Sequence, residues 1–149
     1  MPVKMVWERF RRRRLLRAMA NFLQRMEQEG DIGKNGDPGF YLTRLSGEFR
    51  EFLSLFTGVN CRSLTAEEFL ELPLEYEASF LCGLFRNWDT LRFSGRGVDK
   101  IDLFQAIKAV ENFIAALDKA EREKPLSREH PAAAQMVEQA AGSGTGGSE

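Results

Sequence analysis

From Leu16 onward the apolar residues of this chain recur at intervals of three and four, in runs separated by glycine, proline and short polar stretches. Such spacing lines side chains along one stripe of a helix, whereas a half-buried strand needs strict alternation. Leu16, Met19, Phe22, Leu23 and Met26 form the first stripe, inside a stretch from Lys4 to Glu29 that has neither proline nor glycine. The spacing predicts one helix there, roughly 39 Å long at 1.5 Å per residue. Gly30 to Asp37, with three glycines and an Asn35-Gly36 pair, reads as a loop.

Asp37-Pro38 has the form of an N-cap followed by proline at the first helical position. The helix it predicts, Pro38 to Phe56, carries Tyr41, Leu42, Leu45, Phe49, Phe52, Leu53 and Phe56 on one side, and Gly58 suits a left-handed C-terminal cap. Thr65-Ala66-Glu67-Glu68 is a capping box, in which hydroxyl and carboxylate each accept the other's backbone N–H. Pro73 keeps the helix it starts short. A further helix is predicted near Glu75 to Leu91, with Tyr76, Phe80, Leu81, Leu84, Phe85, Trp88 and Leu91 at helical spacing. The last runs from an Asp99 cap to about Arg122, with Leu103, Ile107, Val110, Phe113, Ile114 and Leu117 as its stripe.

Beyond Pro125 alanine, glycine, serine and glutamate take over, and no sustained apolar face remains to bury. At most a frayed helix is expected over Pro131 to Ala141. β-branched residues are sparse and no strand is predicted. The expected fold is therefore all-α: a bundle of four principal helices plus one short helix, with a protruding basic N-terminal helix and a disordered C-terminal tail. Its expected organisation is a basic helix over residues 1–29 that packs its second half on the bundle, a helical bundle domain over 38–123, and a flexible tail over 124–149.

Composition adds that 149 residues, 43% hydrophobic with twelve phenylalanines, suffice for one core without disulfide or metal support. Cys61 and Cys82 are too few for a disulfide framework or a zinc site and read as buried or half-buried thiols in a reducing compartment. No apolar run approaches the roughly 20 residues that span a bilayer, and no signal-peptide core follows Lys4, so a cytosolic chain is expected.

The net charge of -1 conceals a division. Lys4, Arg9, Arg11, Arg12, Arg13, Arg14, Arg17 and Arg25 face Glu8 alone in the first 25 residues, which leaves that segment at +7 and the remainder at -8. Arg11 to Arg14 are consecutive and project around a full helical turn. They cannot all pack on a core, so this half of the helix is expected to protrude or to lie on something acidic. Three readings compete: a membrane-surface segment, a nucleic-acid contact and a merely solubilising helix. Trp7 and Phe10 beside the run favour the first, because aromatic rings settle at the headgroup level and basic residues gain about 1 kcal/mol each near anionic lipid. The candidate membrane- or partner-binding residues are Trp7, Arg9, Phe10, Arg11, Arg12, Arg13, Arg14 and Arg17. A nucleic-acid-associated module using Arg9 to Arg17 is the alternative, disfavoured by the acidic body.

Other chemistry finds little support. His130 is the only histidine and sits in the tail beside Pro131, so no nucleophile and base pair up. Glu67-Glu68-Glu71, Glu75-Glu77 and Asp99-Asp102 fall at helix starts, where acids cap backbone N–H groups and suit the helix dipole. The glycines from Gly30 to Gly39 around Lys34 lack the Gly-Lys-Ser/Thr ending of a phosphate loop and read as an interhelical connection. Ser94-Gly95-Arg96-Gly97 likewise reads as a turn, where Arg92 and Arg96 flanking Phe93 could form a small basic contact surface. No catalytic residue, metal ligand or cofactor is expected.

With those residues in view, Phe40 to about Ala120 resembles the cytosolic C-terminal helical domain of Bacteroides-aerotolerance (Bat) type membrane proteins, encoded with MoxR ATPases and von Willebrand factor A proteins. The resemblance rests on Tyr41-Leu42-Thr43-Arg44-Leu45 followed by Phe49, Phe52 and Leu53, on Leu64-Thr65-Ala66-Glu67-Glu68-Phe69, and on Trp88-Asp89-Thr90-Leu91-Arg92-Phe93-Ser94-Gly95. It covers a little over half the chain. In that family a polybasic stretch follows a transmembrane helix and leads into the domain, at the place that Arg9 to Arg17 occupy here. This chain departs from the pattern in having no transmembrane segment ahead of the basic run. Either it stands alone and is held at the membrane by charge or a partner, or its true start lies upstream. The resemblance implies a non-enzymatic accessory in envelope stress or complex assembly at the inner face of the inner membrane, with a MoxR-type ATPase or von Willebrand factor A protein as partner.

Overall fold

The computed structural model describes residues 3–32, 36–72 and 78–123, with the side chains of 6–28 in the first of these segments. The described residues are helical and contain no strand: α1 (Val3–Ile32), α2 (Pro38–Thr57), a 3-10 helix (Glu67–Glu71), α3 (Ala78–Phe93) and α4 (Lys100–Arg122). The fold is all-α, four helices and one short one. α1 continues through Gly30, Asp31 and Ile32 rather than ending at Glu29. A single glycine costs a helix only about 1 kcal/mol relative to alanine, so it does not stop one by itself. The expected helix start near Glu75, with Tyr76 and Pro73, falls in 73–77, outside the described residues. So do Lys34 and the tail over 124–149, with His130 and the segment Pro131 to Ala141.

Two compact units divide the chain, one formed by Leu15–Ala115 and the other by Met1–Arg14 with Ala116–Glu149. In the larger unit the predicted stripes form most of the core, while Tyr41, Phe80, Leu84 and Leu91 are half-buried. Leu16, Met19, Phe22, Leu23 and Met26 of α1 are buried, as are Leu42, Leu45, Phe49, Phe52, Leu53 and Phe56 of α2. Leu81, Phe85 and Trp88 of α3 and Leu103, Ile107, Val110, Phe113 and Ile114 of α4 complete it. Aromatic rings connect these elements. Phe49 stands edge-on to Phe113 at 5.5 Å and stacks on Phe85 at 5.7 Å, while Phe85 stacks on Phe69 of the 3-10 helix at 4.5 Å. Such pairs contribute about 0.5–1.5 kcal/mol each beyond the area they bury.

Local chemistry sets the helix ends. The Asp37 carboxylate accepts the Gly39 N–H at 3.0 Å, and Pro38 occupies the first helical position. At the other end of α2, Gly58 takes φ 79°, where its N–H reaches the Ser54 carbonyl at 2.9 Å; a side chain there would be strained. The capping box closes as spaced, Glu68 N–H to Thr65 Oγ1 at 3.2 Å and Thr65 N–H to Glu68 Oε1 at 2.8 Å. Its helix takes the 3-10 form, with Glu68 N–H also reaching the Thr65 carbonyl at 3.1 Å. Asp99 and Asp102 form a second reciprocal pair at the start of α4, at 2.8 and 3.1 Å.

In the smaller unit Leu117 and Glu121 of α4 are buried. Arg122 pairs with Asp118 one turn back at 3.0 Å. Glu121 is only 2% exposed and accepts from Arg12 of α1.

Candidate functional site

The start of α1 carries the candidate residues, and the helix divides them by register. Residues three and four apart share a face. Glu8 therefore lies under both Arg11 and Arg12. Arg11 donates to it twice, Nε to Oε1 at 3.1 Å and Nη2 to Oε2 at 2.7 Å, and this bonding lifts the Arg11 pKa above its usual value. Arg12 Nη1 reaches Glu121 Oε2 at 3.4 Å, and its Nε lies 4.0 Å from Glu8 Oε2. Half of the arginine run thus lies on acid supplied by the chain itself. That acid comes from Glu8 and Glu121, neither of which was among the candidate residues.

The other members of the run face outward. Trp7, Phe10, Arg14 and Arg17 follow at intervals of three, four and three, and Arg13 flanks them. All five are exposed, Trp7 by 60% and Phe10 by 52%, with Val6 beside them. The Trp7 and Phe10 rings are 6.1 Å apart and tilted by 34°. Arg9 is half-buried. The stripe is aromatic at its beginning and guanidinium further along, on the side of the helix away from Arg12.

Among the described residues the other polar clusters are occupied within the fold, and the Glu75-Glu77 cluster lies outside those residues. Glu67 accepts from Arg86 at 2.6 Å and Glu51 from Arg62 at 2.6 Å, and each pairing lowers the carboxyl pKa. Arg96 bonds Asp102 at 3.0 Å and Asp99 at 3.4 Å, so of the two arginines flanking Phe93 only Arg92 lies against that ring, 5.6 Å from its centre. Cys61 and Cys82 are buried free thiols. Burial pushes the Cys61 thiol up, away from the nucleophilic thiolate. Among the described residues no group of three or more His, Cys, Asp or Glu is placed to hold a metal ion. No described helix is long and apolar enough to cross a membrane.

The Glu8 contacts were legible from spacing, because a glutamate three and four residues ahead of two arginines is a helical ion-pair pattern. Glu121, 109 positions from Arg12, left no local signal. No family model, curated protein or solved structure matches the chain.

Proposed function

We propose that this chain is a non-enzymatic interaction domain at the cytosolic face of the inner membrane, with the start of α1 lying on anionic lipid. The observation that carries the reading is the division of the arginine run. Arg11 and Arg12 are turned to Glu8 and Glu121, while Arg13, Arg14 and Arg17 share the outward side with Trp7 and Phe10. A helix resting in the interface needs rings to enter the headgroup layer and cations to meet its phosphates, on one side. Three arginines at about 1 kcal/mol each give about 3 kcal/mol, enough to hold the chain reversibly with help from the rings. The net -8 of the residues after Arg25 is repelled by the same surface, which restricts contact to this end of the chain.

The resemblance to Bat-type domains supports a protein partner in addition, a MoxR-type ATPase or a von Willebrand factor A protein. Duplex nucleic acid would also meet the cations, yet its bases are already stacked on one another and give the two adjoining exposed rings no face to pack on.

Vesicle sedimentation tests the reading. The chain is expected to pellet with phosphatidylserine-containing vesicles and to stay in solution with neutral ones. Replacing Arg13, Arg14 and Arg17 by alanine is expected to weaken partitioning on the order of a hundredfold, and Arg11→Gln to leave it nearly unchanged. Equal pelleting with neutral vesicles, or a salt-sensitive shift of duplex DNA at protein concentrations that leave vesicles unbound, overturns it.

A further inference from the structure

We infer that Arg13, Arg14 and Arg17 select one class of anionic lipid, a headgroup that joins two phosphates through a single glycerol, as in cardiolipin. The inference rests on the membrane reading and names the lipid within it. All three residues are exposed, and among the described residues none of them has a hydrogen bond, an ion pair or a ring contact. Two carboxylates occur between residues 6 and 28 of α1, and both are engaged elsewhere: Glu8 by Arg11 at 2.7 Å and Glu27 by Lys108 at 2.8 Å. The positive charge of the three guanidiniums is therefore not offset by a carboxylate in contact with them.

Helix register gathers them around one spot. Consecutive residues project about 100° apart, so Arg13 and Arg14 diverge, and Arg17 projects between them one turn on. It follows the first by four residues and the second by three, which puts neighbouring Cβ atoms about 5–6 Å apart. Phe10 completes the figure, three residues before Arg13, four before Arg14 and in line with Arg17. A guanidinium fork takes phosphate oxygens two at a time. One phosphate held between Arg13 and Arg17 and a second between Arg14 and Arg17 use all three forks, and Phe10 adjoins both. Lipids with one phosphate fill the two positions only when two separate molecules are brought together. A headgroup that carries both presents the second at high effective concentration once the first is bound. A soluble diphosphate offers the same oxygens but leaves the exposed rings of Trp7 and Phe10 in water.

Sedimentation of the full chain with phosphatidylcholine vesicles containing cardiolipin, beside vesicles containing phosphatidylglycerol at twice the mole fraction, tests this at matched surface charge. Partitioning to cardiolipin is expected to be tighter on the order of tenfold. Replacing Arg13, Arg14 and Arg17 together by lysine keeps the charge and removes the forks. That variant is expected to bind the phosphatidylglycerol vesicles as the parent does and to lose the preference, with melting unchanged. Equal partitioning of the parent at matched charge overturns the inference and leaves the membrane reading standing. Binding to neither vesicle overturns both. A preference that survives the lysine substitutions assigns it to charge alone, and release of the chain by the deacylated headgroup, bis(glycerophospho)glycerol, assigns the site to a soluble phosphate. Either result overturns the inference.

Discussion

The guanidinium of Arg50 lies 4.4 Å from the centre of the Phe85 ring, which joins the middle of α2 to α3 through a cation resting on an aromatic face. Phe69 of the 3-10 helix flanks the same guanidinium at 5.4 Å. Arg50 Nη1 donates to the Leu64 carbonyl at 2.6 Å and to that of Cys61 at 3.1 Å, so the connection between α2 and the 3-10 helix is held from inside. Ser54 supports it from the next turn, its hydroxyl accepting the Cys61 N–H at 2.7 Å. Burial draws the Arg50 pKa below its usual value, yet guanidinium remains charged at any ordinary pH.

Lysine keeps this charge but not the planar group that stacks and donates at once. Arg50→Lys is therefore expected to lower stability by about 1–3 kcal/mol, read as a fall in the urea midpoint at unchanged slope. Thiol titration gives an independent readout, with Cys61 reacting faster in the variant. A midpoint equal to the parent's shows that the stack and the carbonyl bonds are dispensable.

The division of the arginine run makes its own claim on stability. Removing Arg12 leaves Glu121 buried with less compensation, whereas Arg14 touches no such group. Arg12→Met is expected to destabilise by about 1–3 kcal/mol, and Arg14→Met by less than about 0.5 kcal/mol. Thermal melts of the two variants side by side check this. Equal effects contradict the division.

Acid should act through Asp102. It accepts the Asp99 N–H and the Arg96 guanidinium, which holds its pKa below the usual carboxylate value. A carboxyl with a lowered folded-state pKa adds stability above its unfolded value, about 4, and loses it as pH falls through the lowered value. Asp102→Asn is thus expected to be less stable than the parent at neutral pH. The two should converge once acid has protonated the carboxylate. Urea midpoints followed from neutral pH down through that range check it, and a gap independent of pH removes the carboxylate from the acid response.

Much of the fold was legible because its signals are local. The stripes from Leu16 to Met26, Leu42 to Phe56 and Leu103 to Leu117 are buried side for side. The caps at Asp37, Thr65 and Asp99 each join groups two or three residues apart. Spacing within one helical turn is enough to specify such contacts, whatever surrounds them. Of the candidate site, the Glu8 contacts were legible from helical spacing and the rest only as a composition, eight basic residues ahead of an acidic body.

By itself, then, the amino-acid order determined the helices, their caps, their buried faces and the basic beginning. Tertiary structure decided which charges remain available. Arg12 meets Glu121 across 109 positions, and Arg50 finds two carbonyls and two rings on other elements. It also decided that Phe93, Ile101, Phe104 and Phe40 stay in the open while the apolar stripes of the same helices are buried. The physical reason is range. Turn periodicity and capping act between residues that the backbone already holds together, whereas an ion pair or an uncovered ring depends on what other segments the folded chain brings beside it.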